Sequence, residues 1–546
     1  MTGRPAFPAA FLSALLAVQP AASQAPPQAT LVIAVAGDPD SPVPTLWRNS
    51  QGNRELSDLL FLRLADLGPT LSTIDEASFV PRLARRWTRS DPVTLTFELD
   101  PRARWQDGVP VTARDAVFAL DRARDPALSP QTGTLLRRIR SVSAEGDRRV
   151  VVRFTEPYPE QLYDATYHAP PLPAHLLEGI PPESLAASAF VGRPVGNGPY
   201  ALARRSPGPV IELTANPGFF LGRPGIDRIL LLGAKDPEAR ANLLLSGEVD
   251  AIDNIYSLPN WSRLERLPSY LYYPVPGPTL IYATFNQRDP ADTARPHPIF
   301  TDPGVRRALV LALDREELVR GVYGPLARVP DGPLSSLLAR SVDAPPVIRP
   351  DSVGARRLLA ARGWSDHDGD GVLDKDGRPL AFRLLVPGIV AARVALASRM
   401  QEAWRRLGVR VDLDVVEGAV FIERRNAGRF DMDMYGVSQD PSPSGLRQSW
   451  SCSGFGGSNV MHYCDATVDS LLQLAAGSDR ARAPQLYRAA MRRIAEDVPA
   501  VFLAALVFGT PVHRRFTNVV VRPESNWSLV WQWALRPGQA IDRDRQ

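Results

Sequence analysis

The stretch Asp366 to Gly377, DHDGDGVLDKDG, spaces its carboxylates as a calcium loop does. Asp366, Asp368, Asp370 and Asp374 fall at loop positions 1, 3, 5 and 9, and Gly371 falls at position 6, where an EF-hand turns sharply. Position 12 is Gly377 rather than a bidentate Glu, and the flanks lack a clear pair of helices. Asp and Gly also favour turns, because they tolerate a left-handed backbone and bond locally. The expectation is a turn, with weak calcium binding as the alternative. Cys452 and Cys464 are the only cysteines, close together and even in number. In an oxidising compartment they predict a disulfide, which would stabilise by roughly 3 kcal/mol on a chain-entropy estimate. Two thiols with only His462 nearby make a poor metal set.

The usual catalytic signatures are missing: there is no G-x-S-x-G, H-E-x-x-H, P-loop or G-x-G-x-x-G. The six histidines (His168, His175, His297, His367, His462, His513) are scattered, with no metal-ligand spacing. Composition excludes little else. The chain has 546 residues, 44% hydrophobic and 22% charged, with a net charge of +4 and no basic block interleaved with aromatics, so a nucleic-acid partner is not expected. Arg4, the apolar run Ala9 to Val18 and the small residues Ala21 and Ser23 read as a secretory signal peptide over 1–25. No cysteine near the cut suggests a lipid anchor, and no later run of about 18 apolar residues suggests a membrane span.

The elements that must position any site alternate between strand and helix. TLVIAV, VTLTFEL and Val150 to Phe154 read as strands, and Thr112 with Asp115 opens a helix in capping-box style. Pro-rich loops are expected over roughly 155–185. From about 226 a run IDRILLL, DPEARANLLLSGEVDAID, Leu280 to Phe285 and DPGVRRALVLALDREELVRGVYG repeats the strand–helix theme. DSVGARRLLAARG, LAFRLLV, RVALASRMQEAWRRLG, VRVDLDVV, AVFIERRNAG and FDMDMYGV give a second α/β run with a largely parallel sheet. Helices near 465–475 and 484–497 follow, and then AVFLAALVFG and NVVV as strands. Two α/β lobes without a nucleotide fingerprint suggest a cleft between them.

The ordered blocks LARRWTRSDPVTLTFELDPRARWQDGVPVTARDAVFAL, VGNGPY, NPGFF, DPEARANLLLSGEVDAID, DPGVRRALVLALDREELVRGVYG and ARRLLAARGW carry a resemblance along nearly the whole chain. The chain resembles the family 5 extracytoplasmic solute-binding proteins of peptide/nickel ABC importers. The resemblance implies an α/β, two-lobed type II periplasmic-binding fold with mixed sheets and a hinged cleft. Lobe I would run over 26–283, with an extra subdomain at about 51–188, lobe II over 284–504, and 505–546 would return to lobe I. It implies that DHDGDGVLDKDG is a hairpin leading into a strand. It also implies a periplasmic, monomeric receptor, not an enzyme and without a cofactor, that captures a peptide or peptide-like solute for an inner-membrane permease.

The family's ligand motif G-W-x-x-D falls on YGVSQD, so Asp440 would pair with a ligand α-amino group and Gly436, Val437 and Ser438 would pair with an extended ligand. Val437 stands where the family usually has Trp, and the second acidic residue is replaced by SPS. Arg393 is a candidate for a ligand carboxylate, and Tyr435, Tyr282 and Trp450 are candidates to line the cleft. A secreted hydrolase of peptides or glycans, and a receptor for chelated nickel or a sugar, remain open alternatives.

Overall fold

Two long strands organise the molecule, Tyr270–Phe285 and Ala500–His513, running antiparallel from one lobe into the other. The computed structural model describes residue 3 and residues 28–545 except 38, 40, 45–50, 126–129, 206–209, 256, 331, 341, 343–347 and 456, so the expected signal peptide falls almost wholly outside the described residues. Tyr270 to Pro276 face His513 to Val507, and Leu280 to Thr284 face Ala505 to Ala500. The register slips between Pro276 and Leu280, where Pro276 and Pro278 have no N–H to give to a ladder. Gly277 is required there for a different reason: a Cβ on it would lie 2.4 Å from the Leu506 carbonyl oxygen.

These strands lie within one 11-stranded mixed sheet. On the first-lobe side, Thr30–Val35 is parallel to Arg228–Gly233 and to Ala251–Ile252. TLVIAV is buried at every position, which is why it reads as a continuous apolar run rather than an alternating one. On the second-lobe side, Ala381–Pro387 is parallel to both Arg410–Val416 and Met432–Ser438. The connecting helices are Ala391–Arg405, followed by Gly408 at φ 87°, and Gly418–Asn426. Helices Ala466–Gly477 and Ala483–Asp497 pack on the opposite face of the crossing strands, with Tyr282, Trp450 and Phe502 between.

Ala84–Asp91, Thr94–Leu99, Arg149–Phe154 and Ile139–Glu145 build a separate four-stranded antiparallel sheet. Its helix Ala113–Ala123 starts where Thr112 and Asp115 predict. The buried Asp115 carboxylate accepts the Thr112 N–H at 2.7 Å, the Trp105 indole at 3.2 Å and the Ala174 N–H at 2.9 Å, so one residue joins helix start, turn and distant loop.

The chain end packs against the first strand, Thr30–Val35, and against Asp250. Arg515 donates to Asp250 at 2.8 and 3.0 Å and to Asp544 at 2.6 Å, and Asp544 accepts the Thr30 N–H at 2.9 Å. Arg515, Asp250 and Asp544 are all essentially buried.

Two expected local structures differ. NVVV is no strand: Asn518 at φ 56° turns the chain, and only Phe516–Thr517 pairs, with Ala534–Leu535. The stretch expected as Pro-rich loops contains the short helices Gln161–Thr166 and Ala174–Leu177. DHDGDGVLDKDG forms a hairpin, with Asp374–Lys375 paired to Arg378–Pro379. Its carboxylates bond their own loop: Asp366 accepts from Gly369 and Gly371, Asp368 from Asp370, Asp370 from Val372, and Asp374 from His367.

Candidate ligand-binding cleft

The strand Met432–Ser438 delivers Asp440 to the junction of the lobes. One edge of its end is occupied, with Val437 opposite Leu280 and Ser438 opposite Thr279. On the other edge, pairing with Ala381–Pro387 stops at Leu385 opposite Asp433, so no described strand pairs with that side of Gly436 to Ser438. A cavity of about 240 Å³ opens here. The second lobe contributes Val437, Ser438, Gln439, Asp440, Ser442 and the rim around Ser444 to Ser449, and the first lobe contributes Leu135, Tyr163, Asp164 and His168. The lobes touch beside it: Ser442 Oγ donates to Glu160 Oε2 at 2.9 Å, Arg138 donates to the Ala476 carbonyl at 2.9 Å, and Arg480 pairs with Glu76 at 2.6 Å.

The electrostatics of the two walls differ. Asp440 is exposed, and no described Lys or Arg lies within 4 Å of its carboxylate. Asp164 is largely buried on the other wall, and burial together with the Glu160 charge pushes its carboxyl up to about 8. Burial, with Arg63 and Arg54, pushes His168 down to about 3. The 3.8 Å approach of His168 to Asp164 is therefore a contact between neutral groups near neutral pH, not an ion pair. Burial also raises Glu160, whose oxygens accept from Thr73 at 2.6 Å and Ser442 at 2.9 Å.

The expected residues divide into three groups. Asp440, Val437 and Ser438 line the cavity. Gly436, Tyr435 and Arg393 form an adjoining cluster: a Cβ on Gly436 would sit 2.3 Å from Arg393 Nη2, and the Arg393 and Arg425 guanidinium carbons lie 5.9 and 4.0 Å from the Tyr435 ring centre. Tyr435 also stacks on Phe421 at 6.0 Å. Burial lowers the Arg393 guanidinium from its ordinary value, and its Nε is buried with no hydrogen-bond partner among the described residues.

Tyr282 and Trp450 are not cleft-lining. They are 3% and 1% exposed and pack against each other and Phe502 in the core, as large aromatics do when a sheet and a helical layer close over them. Cys452 and Cys464 are joined by a disulfide, and the loop it closes includes Ser458 on the cavity rim.

Sequence reasoning missed the first-lobe wall. Tyr163, Asp164 and His168 sit on or just after the six-residue helix Gln161–Thr166, too short to leave a periodic signal. A larger cavity of about 660 Å³ lies on the second lobe alone, among Arg383, Asp414, Glu423, Arg424, Arg429 and Asp431. Four of its charges are already paired, Arg424 with Asp414 and Arg429 with Glu423, and only one lobe builds it.

Residues 78–457 match the family model described as bacterial extracellular solute-binding proteins, family 5 Middle. The oligopeptide-binding protein AppA of Bacillus subtilis (strain 168) is 28% identical over 409 residues, 73% of this chain and 73% of AppA. Its solved structure in complex with a nonapeptide superposes with a TM-score of 0.68 at 24% identity, covering 94% of this chain and all of that one. NikZ from Campylobacter jejuni, solved with Ni(L-His), has a TM-score of 0.70 at 24% identity and covers 93% of this chain and all of NikZ.

Proposed function

Because the chain belongs to the bacterial extracellular solute-binding proteins, family 5, we propose that it is the exported receptor of an ABC importer, capturing a peptide or peptide-like solute between its lobes and delivering it to membrane permease subunits. The observation that carries this reading is the cleft itself, a cavity of about 240 Å³ built by both lobes, with an exposed Asp440, unpaired among the described residues, at the end of a central strand. A ligand ammonium at Asp440 makes a charge-assisted bond, which counts for more in a closed, partly dry cleft than in water. The unpaired edge of Gly436 to Ser438 suits an extended ligand backbone, with main-chain bonds giving affinity and side-chain room giving selectivity. The cavity is below the range of about 300–1,000 Å³ usual for drug-sized ligands, which favours a solute of very few residues.

Delivery follows from hinging. Closure brings Glu160, Glu76 and Arg138 of the first lobe against Ser442, Arg480 and the Ala476 carbonyl of the second, and the interrupted ladder at Pro276 to Leu280 suits a hinge in the crossing strands. The described residues contain no helix long and apolar enough to cross a membrane. In this reading the leader at 1–25 is cleaved, no lipid anchors the chain, and binding rather than turnover is the activity.

A thermal-shift screen tests the reading. A ligand at 100 times its dissociation constant stabilises by about 2.7 kcal/mol. Dipeptides with a free amine are expected to raise the melting temperature, and their N-acetylated forms are not. Equal shifts from both forms would remove Asp440 from the site, and a shift only with nickel–histidine would move the reading to a chelated metal, with the neutral His168 as its contact.

A further inference from the structure

The cleft presents more carboxyl groups than one ammonium group requires. Asp440 enters the cavity from the second lobe and Asp164 from the first, and no described Lys or Arg lines it. Asp164 Oδ2 accepts the Tyr158 hydroxyl at 2.7 Å, while His168 Nε2, 3.8 Å from Oδ1, is beyond hydrogen-bond distance. One carboxylate oxygen is thus left for a ligand. The charged groups nearest in effect are Glu160, which adds negative charge, and Arg138, which is already engaged by Glu156 at 3.1 Å and by the Ala476 carbonyl.

A second observation points to a ligand independently. Tyr163 is 2% exposed, lines the same cavity, and its hydroxyl is buried with no hydrogen-bond partner among the described residues. An unsatisfied buried hydroxyl costs about 1–3 kcal/mol, a cost that a polar ligand atom removes.

We propose that Asp164 and Tyr163 form a second cationic subsite, so that the preferred solute carries two ammonium-type groups, one at Asp440 and one at Asp164: a small peptide with a basic side chain, or a diamine. This rests on the receptor reading above and narrows its solute class. An apolar side chain placed there would leave the Tyr163 hydroxyl unsatisfied, and an acidic one would meet Asp164 and Glu160. Burial keeps Asp164 protonated in the empty cleft below about pH 8, so an arriving cation favours its charged form and releases a proton.

Titration calorimetry of the full chain at pH 7 with Ala-Lys, Ala-norleucine, Ala-Glu and cadaverine tests this, repeated in buffers of different ionisation enthalpy. Ala-Lys is expected to bind at least tenfold more tightly than Ala-norleucine, with proton release, and Ala-Glu most weakly. Asp164→Asn should abolish the preference for Ala-Lys, and a cooperative melting transition no lower than the parent's shows that the variant is folded. Tyr163→Phe should reduce the preference without removing it. Cadaverine binding more tightly than Ala-Lys would support the subsite with a diamine as its solute. Equal affinities for Ala-Lys and Ala-norleucine, or a preference that survives Asp164→Asn, would overturn the subsite and leave the receptor reading standing. Failure of every dipeptide and of cadaverine to bind would overturn both.

Discussion

Two regions hold buried or half-buried carboxylates on very different terms. Where the chain end meets the first lobe, Asp250 and Asp544 are fully buried, and Arg515 bonds both. Arg543 also donates to Asp250 at 2.8 Å, and backbone N–H groups of Val32, Thr30 and Ile541 add to their coordination. In the cleft, among the described residues, no cation lies within 4 Å of Asp440, the Asp164 carboxyl bonds only a tyrosine, and the buried Tyr163 hydroxyl is unmet. Buried charges that serve folding are expected to be paired inside the chain. On the proposed reading the cleft groups are left incomplete because their partner, the ligand, arrives from outside.

The contrast can be broken first at its strongest point. Arg515→Met strands buried Asp544 and leaves Asp250 with Arg543 as its ion-pair partner, and should cost about 3–5 kcal/mol in urea unfolding, with the affinity of the folded fraction unchanged. A loss below 1 kcal/mol would mean that the anchor is not needed. Reduction of Cys452–Cys464 should cost roughly 3 kcal/mol on the loop-entropy estimate and weaken binding too, since the loop supplies cavity rim. Asp440→Ala should reverse the pattern. Binding of a free-amine dipeptide weakens at least tenfold, about 1.4 kcal/mol, while stability changes by less than about 0.5 kcal/mol because the residue is exposed.

The last test reads a slope rather than a single loss. Asp164 titrates at about 8 in the fold, against an ordinary value of 3.8, so the folded chain holds a proton that the unfolded chain has released. Its contribution therefore lowers stability as pH rises from about 4 to 8. Asp164→Asn should flatten that part of the profile, so the variant melts higher than the parent at pH 8 and alike at pH 4. Parallel profiles would show that Asp164 titrates normally.

Much of this architecture was legible in the sequence. The turn signals around Asp115, the glycine stops at Gly363 and Gly408, and the apolar strands at 30–35 and 381–387 each predicted a local structure that forms. The second-lobe wall was legible as well, because Asp440 follows a strand with its own signal. The first-lobe wall was not. Tyr163 and Asp164 meet Ser442 and Asp440 only through a contact nearly 280 residues long in sequence, from a helix of six residues. Tyr282 and Trp450 show the opposite failure: aromatic type suggested a binding surface, and only packing on both sides of the sheet decides that they are core.

The account stands on an amine-recognising cleft at Asp440. Calorimetry of the parent chain and Asp440→Ala, each titrated with Ala-Ala and N-acetyl-Ala-Ala, measures that directly. The prediction is tight binding only for the free-amine peptide on the parent chain, with the advantage of the free amine lost in Asp440→Ala. Equal affinity of the parent for both peptides, or an unchanged preference in Asp440→Ala, would contradict it.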